Sequence, residues 1–352
     1  MQDIKELDLK GLEERLLFLG APKYHARSIF DWIYRKGVSD FGKMSNLSAS
    51  LRKELAEEFK ILGIRELSRQ ESADKTAKFL FRLEDSNLVE AVIIPMKRRL
   101  QGSGDSRSFT GCISSQAGCK FACGFCASGM KGFRRNLTRG EILDQVFYLK
   151  NGVSGGNLTN IVFMGTGEPF DNYDNVLSAV RLINSPSGFN IGARRITIST
   201  CGIIPGIEKL AKEDLQVELS ISLHAADDKL RSKLMPVNKK YPLADLIRCC
   251  REYIAKTNRQ VTFEYILIKD INSDPASARR LVSLLKGLRL AKVNLIPANF
   301  LPELKIESPE RLQVNFFKEC LTEAGLEVTL RKERGQDIDA ACGQLRLKYE
   351  NC

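Results

Sequence analysis

The chain has 352 residues, 43% apolar and 28% charged, the composition of a globular protein long enough to bury a full core. No run approaches the roughly 20 apolar residues of a bilayer span, and the mixed-charge start MQDIKELDLK does not read as a signal peptide, so a cytoplasmic protein without a membrane segment is expected. The formal net charge of +11 argues for a polyanionic partner.

Residues 1 to about 65 read as helices. In ARSIFDWIYRK, Ile29, Trp32 and Ile33 fall at i, i+3, i+4 and Gly37 supplies a stop; a third helix is expected over 50–59. Segments 76–82 and 88–94 read as two strands joined by the polar turn Glu84-Asp85-Ser86-Asn87. Residues 1–95 are therefore expected to form a small helical accessory domain with linking strands. From 96 to 352 the pattern changes. Apolar strands at 112–115, 161–164, 196–199, 217–223, 261–267 and 293–296 alternate with stretches long enough for crossover helices, the signature of parallel βα units. Thr138 and Glu141 make a capping box, and Ser308-Pro309 is an N-cap followed by proline, with Gly325 closing that helix. A strand at 326–330 leads into RKERGQDIDAACGQL, an irregular loop that carries Cys342.

Ten cysteines in a chain with no secretory signature point to metal binding or catalysis rather than a disulfide framework. Cys119-x3-Cys123-x2-Cys126 supplies three thiolates on the loop after the first strand of the larger domain. An iron–sulfur cubane takes four cysteines, one per iron, so three leave an iron open to a small molecule with amine and carboxylate groups, such as S-adenosylmethionine. Structural zinc would want four N or S ligands, and the two histidines, His25 and His224, are distant in sequence. A zinc-stapled RNA-binding protein without catalysis is the alternative from another class. Around the cysteines, Lys97, Arg98, Arg99, Arg107, Lys120, Lys131, Arg134 and Arg135 face one acid, Asp105, a local net of +7 suited to phosphate contacts.

CxxxCxxC is the signature of the radical S-adenosylmethionine superfamily. Together with GCISSQAGCKFACGFCASG, MGTGEPFDNYDNV, ITISTCGIIP, SLHAADDKLRSKLMPVN and RGQDIDAACGQL, it makes nearly the whole chain resemble the RlmN/Cfr family of RNA adenine methyltransferases. The resemblance implies an α/β fold, a partial (β/α)6 barrel open on one side with the small N-terminal domain attached. It makes Cys119, Cys123 and Cys126 ligands of one 4Fe-4S cluster, and Gly167, Glu168, Ser199, Ser222, Leu223, His224 and Asn299 contacts of S-adenosylmethionine, two molecules being used per turnover.

By the same resemblance Cys342 carries a methyl group taken from the first S-adenosylmethionine, and a radical from the second activates it. Cys112 removes the ring proton and closes a transient disulfide with Cys342, which thiol reduction resets. Glu90 aligns with a glutamate assigned as proton acceptor in the family. The implied partners are 23S rRNA and tRNA, methylated at adenine carbon 2, and a low-potential electron donor such as flavodoxin; the enzyme is expected to be a monomer. Pro169 in GEP favours carbon 2 over the Cfr-like carbon 8 alternative. Thr166 and Ala298 depart from the common pattern, where methionine and an aromatic residue stand. Cys201, Cys249, Cys250, Cys320 and Cys352 read as structural or incidental.

Overall fold

The computed structural model describes residues 1–96, 107–130, 132–153, 155–299, 304, 306–331, 334–338 and 340. Cys342, Cys352, Lys97, Arg98, Arg99 and Lys131 lie outside the described residues.

The N-terminal segment opens with a short strand, β1 (Gln2–Asp3), then helices α1 (Leu9–Phe18), α2 (His25–Phe30) and α3 (Ala49–Glu58). Helix α2 runs on through a wider turn at Asp31–Arg35 and stops at Gly37, whose φ of +68° suits glycine. Asp8 and Ser48 cap α1 and α3 by accepting backbone N–H groups of Gly11 and Leu51. Strand β2 (Phe59–Lys60) pairs in parallel with β1.

Three antiparallel strands follow: β3 (Ile64–Glu71), β4 (Ala77–Leu83) and β5 (Leu88–Pro95). The expected two-stranded connection is thus corrected to three strands. IRELSRQE escapes an apolar count because it is a sheet edge, with only Ile64 buried. Strand β6 (Arg107–Cys112) pairs antiparallel with β5 on one side and parallel with β9 (Gly156–Phe163) on the other, so one ten-stranded sheet runs through both parts of the chain. The first barrel strand ends at Cys112, not at 115, because Ser114 leaves the ladder to bond Gln145, Glu90 and Thr166.

Between them lie the short hairpin β7 (Gln116–Gly118) and β8 (Phe133–Asn136), then α4 (Arg139–Gly152), which starts with the expected Thr138–Glu141 capping box. The parallel run continues with α5 (Tyr173–Asn184), β10 (Ile196–Thr200), α6 (Ile204–Leu210), β11 (Glu218–Ser222), α7 (Asp228–Leu234), α8 (Leu243–Thr257), β12 (Val261–Leu267), α9 (Pro275–Leu285), β13 (Ala291–Pro297), α10 (Arg311–Glu323) and β14 (Glu327–Leu330). Helix α10 is capped by Glu310 with Gln313 rather than by Ser308.

The sheet order β14-β13-β12-β11-β10-β9-β6-β5-β4-β3 leaves the barrel open, with β14 and β3 at its edges. Strand β12 is buried on both faces, as the apolar run VTFEYIL demands once helices cover one side and the barrel interior the other. The apolar stripe of α8, Leu243, Leu246, Ile247, Cys250, Tyr253 and Ile254, recurs at helical spacing and joins the same core. Among the described residues no helix is long and apolar enough to cross a membrane.

Candidate functional site

The expected cluster loop is held by the β7–β8 hairpin. Gly118 at its entry has φ +76°, and a Cβ there would meet the Gly132 carbonyl oxygen at 1.9 Å, so only glycine lets the two arms approach. The Cys119 N–H donates to Gly132 O at 3.2 Å and the Cys126 N–H to Cys123 O at 3.1 Å, a tight turn that brings the second and third cysteines together. Gly124 N–H ties the loop to Leu234 O at 2.8 Å.

Gln116, fully buried, anchors this hairpin to the next βα loop. Its amide nitrogen donates to Asn136 Oδ1 and Asp171 Oδ2, both at 2.8 Å, and its oxygen accepts the Glu168 N–H at 2.8 Å. Gly167 has φ +105°, and a Cβ on it would come within 2.5 Å of Gln116 Cβ. Neither Gln116 nor Asp171 stood out in the sequence, because their partners lie far away along the chain.

Cys119, Cys123 and Cys126 line one cavity of about 160 Å³ with Gly167, Glu168, Ser199, Ser222 and His224. Motifs spread over a hundred residues thus meet at the carboxyl ends of the parallel strands, where βα barrels collect ligands. Phe121, Phe125, Met164, Met235 and Ile266 make the rest of the wall largely apolar. Two expected contacts are placed elsewhere. The Leu223 side chain is buried in the main core, and its carbonyl accepts Arg231 Nε at 3.1 Å. Asn299 is buried past the end of β13, outside this lining.

Glu168 is buried, and its carboxylate accepts the Cys201 N–H at 2.7 Å and the Phe170 N–H at 3.0 Å. Burial pushes its pKa up; those hydrogen bonds oppose the shift. His224 sits at φ +59°, where a non-glycine residue is held only by its surroundings. Its Nδ1 accepts the Ile266 N–H at 3.0 Å, which places the ring proton on Nε2. Asn272 holds that conformation, donating to His224 O at 2.8 Å and Ile266 O at 2.6 Å.

Sequence reasoning also missed Arg231, which is fully buried. It donates to Asn238 Oδ1 and Cys201 O at 2.8 Å, Ser222 O at 3.0 Å and Leu223 O, clamping the ends of β10 and β11. Burial lowers its pKa, and the nearby Cys201 and Cys123 oppose that. Glu264, another buried cavity residue, accepts from Asn294 Nδ2 at 2.7 Å, and burial raises its pKa.

The donor set fits an iron–sulfur cluster. Burial pushes the Cys119 thiol up to about 11 and Cys123 higher, and each neighbouring cysteine charge adds to the shift. Such thiols become thiolates only against a cation, and soft sulfur donors suit iron–sulfur clusters among the thiophilic metals. Among the described residues, no three His, Cys, Asp or Glu side chains are grouped around a single metal-ion position, which excludes a closed one-ion site there and is compatible with a cubane, where each cysteine takes a different iron.

Cys112 is buried with Val92 and Ala340, and Ile94, Val162, Met164 and Ile338 pack on them. Met164 also lines the cysteine cavity, so the two sites share a wall. Ala340 and Ile338 belong to the segment that precedes Cys342 in the sequence. Glu90 is buried one step along the same face, with its Oε1 3.7 Å from Lys78 Nζ, in a separate polar cavity of about 220 Å³ beside Ser68, Gln70 and Asp337. Of the basic segment, Lys120 pairs with Asp171 at 2.5 Å, and Arg135 forks onto Glu141 at 2.7 and 2.8 Å while also reaching Asp85. Those two cations brace the cluster hairpin, while Arg107 and Arg134 are exposed.

The Radical SAM superfamily model matches residues 113–281, and the model of the ribosomal RNA large subunit methyltransferase N-terminal domain matches residues 2–61. A probable dual-specificity RNA methyltransferase RlmN of Thermoanaerobacter sp. (strain X514) is 45% identical over 350 residues, covering 99% of both chains. One of the same description from Pelotomaculum thermopropionicum is 46% identical over 347 residues, 98% of this chain and 92% of the relative. The crystal structure of a radical SAM methyltransferase from Sphaerobacter thermophilus superposes with a TM-score of 0.92 at 43% identity, covering 98% of this chain and 99% of that one. With both domains, the full length and the site geometry in agreement, this chain belongs to the RlmN family of radical S-adenosylmethionine RNA methyltransferases.

Proposed function

We propose that the chain methylates carbon 2 of adenosine in 23S rRNA and in tRNA, in the cytoplasm and as a monomer, drawing electrons from a low-potential donor such as flavodoxin. Residues 1–95 serve as the RNA-binding accessory domain and 96–352 as the catalytic unit. The observation that carries the reading is the cavity shared by the three motif cysteines with Gly167, Glu168, Ser199, Ser222 and His224, with Cys112 behind its Met164 wall.

Carbon 2 lies between two ring nitrogens and is a poor nucleophile, so simple methyl displacement does not reach it. The cluster and S-adenosylmethionine, when bound, supply reductive cleavage of a sulfonium and hence carbon-radical chemistry. Cys119, Cys123 and Cys126 hold the cluster. Gly167, whose missing side chain lets the backbone approach, Ser199, Ser222 and neutral His224 orient S-adenosylmethionine, while Leu223 and Asn299 contribute through the backbone and the adjoining loop. Two molecules are consumed per turnover, one to methylate a thiol. Cys342 carries that methyl group to the adenine, and Cys112 takes the ring proton and then pairs with Cys342 in a disulfide that exogenous thiol reduces. Glu90, on the same sheet face, is a second candidate base.

The test is mass spectrometry of RNA digests from a deletion strain complemented with wild-type protein or with Cys342→Ala. Restored 2-methyladenosine in rRNA and tRNA with the wild type, and none with the variant, is expected. Retained carbon 2 methylation by Cys342→Ala overturns the carrier role, and methyl on carbon 8 overturns the regiochemistry.

A further inference from the structure

The sheet face that carries Cys112 continues well beyond it. Cys112 pairs with Val92; two residues back along β5, Glu90 pairs with Leu80; two residues on along β4, Arg82 pairs with Arg65 of β3. Cross-strand partners point to the same side and side chains alternate along a strand, so these six residues form one strip on one face. Phe79 and Phe81 occupy the opposite face, Phe81 meeting Tyr148 of α4 at 5.0 Å between ring centroids. The strip is therefore the inner, catalytic side of the sheet extension.

Its far end projects toward the substrate side. Because β5 runs antiparallel to β6, the β4–β5 turn extends past the carboxyl end of β6, the end where the cluster loop and cavity lie. At ~3.4 Å per residue and ~4.8 Å per strand, Arg82 stands roughly 14 Å beyond Cys112 and about 10 Å to its side. Arg135, on the arm of the cluster hairpin, fastens Asp85 of the same turn.

Arg65 and Arg82 are exposed and directly opposite one another, an arrangement of like charges that weakens a sheet. Neither makes an ion pair or side-chain hydrogen bond among the described residues, whereas Arg69, Lys60 and Arg135 nearby all do. The two guanidinium-bearing residues line an open groove of about 480 Å³ with Gly63 and Ser86, and the groove's carboxylate, Glu84, is paired with Lys60. Two of the cations that the sequence offered for RNA, Lys120 and Arg135, are by contrast paired with Asp171 and Glu141.

We propose that Arg65 and Arg82, the exposed end of this face, clamp a backbone phosphate of the RNA substrate on the side of the sheet to which Cys112 belongs. A phosphate between them turns repulsion into two charge-assisted contacts, and guanidinium forks match its geometry. The proposal rests on the RNA methyltransferase reading, and the experiment separates the two.

Binding of a fluorescently labelled tRNA transcript is measured by anisotropy against salt concentration for wild type, Arg82→Gln, Arg65→Gln and Arg82→Lys. Each glutamine variant is expected to bind roughly tenfold more weakly and to reduce the slope of log affinity against log salt by about 0.7–0.9. Arg82→Lys is expected to keep the slope, since the charge remains. Melting temperatures at or above the wild type, expected because a like-charge pair is relieved, show that the fold is intact. Unchanged affinity and slope in both glutamine variants overturn the clamp; a wild-type chain that does not bind the transcript overturns the substrate reading instead.

Discussion

At the scale of single residues, the cavity is built by side chains and backbones that would be unfavourable elsewhere. His224 combines a left-handed backbone with a ring wedged against Phe125 at 4.6 Å, and burial, then the charge of Arg231, pushes its pKa down to about 3. The unfolded chain takes up a proton near pH 6.5, while the folded ring stays neutral until about 3. Stability from this residue is therefore complete above pH 6.5 and is lost as pH falls through that window, about 2 kcal/mol by pH 5. Urea unfolding at pH 8 and pH 5 should show His224→Gln losing less stability on acidification than the wild type; equal losses would count against the neutral-ring assignment. Throughout the neutral range the ring offers an Nε2 proton to a ligand, consistent with its Nδ1 being occupied by Ile266 N–H.

At the scale of elements, the cluster hairpin and the loop after β9 are joined by one buried amide. Gln116→Ala removes the donor to Asn136 and Asp171 and the acceptor of Glu168 N–H, and that buried N–H left unpaired costs about 1–3 kcal/mol. The expected result is a lower melting temperature and a smaller iron-to-protein ratio after anaerobic reconstitution; wild-type iron content would show that the hairpin holds its shape without Gln116. Such ties also mark how far the sequence could be read. Strands β10, β11, β12 and β13 and the second half of β9 were legible because short apolar or alternating runs recur between helix-length stretches, and α4 because its capping box is local. Strand β3 was not, since an edge strand exposed on both faces carries no apolar alternation. Arg231 and Gln116 carried no signal in the sequence, since their carbonyl and amide partners are supplied by other loops. The cysteine motif was visible because its spacing itself encodes it.

At the scale of the molecule, the N-terminal helices are fixed to the catalytic part by a buried charge cluster. Lys5 Nζ, fully buried, lies 2.7 Å from Asp3 Oδ1 and 2.9 Å from Asp144 Oδ1 on α4, and it also donates to the Ile61 carbonyl. Asp144 Oδ2 accepts the Gly63 N–H at 2.8 Å, and Glu6 Oε1 accepts the Gly140 N–H at 2.7 Å near the start of α4. Burial pushes the Asp144 carboxyl up, partly opposed by Lys5; burial works against the Lys5 charge, but the two aspartates outweigh it and raise its pKa. Removing one member of such a pair strands a buried charge, whereas replacing both with apolar groups need not. Lys5→Met should therefore cost about 3–5 kcal/mol and lower the melting temperature, while Lys5→Met with Asp144→Leu should recover most of the loss. Thermal unfolding of the two variants checks this, and a double variant as unstable as the single one would mean that the ion pair itself, and not the stranded carboxylate, sets the docking energy.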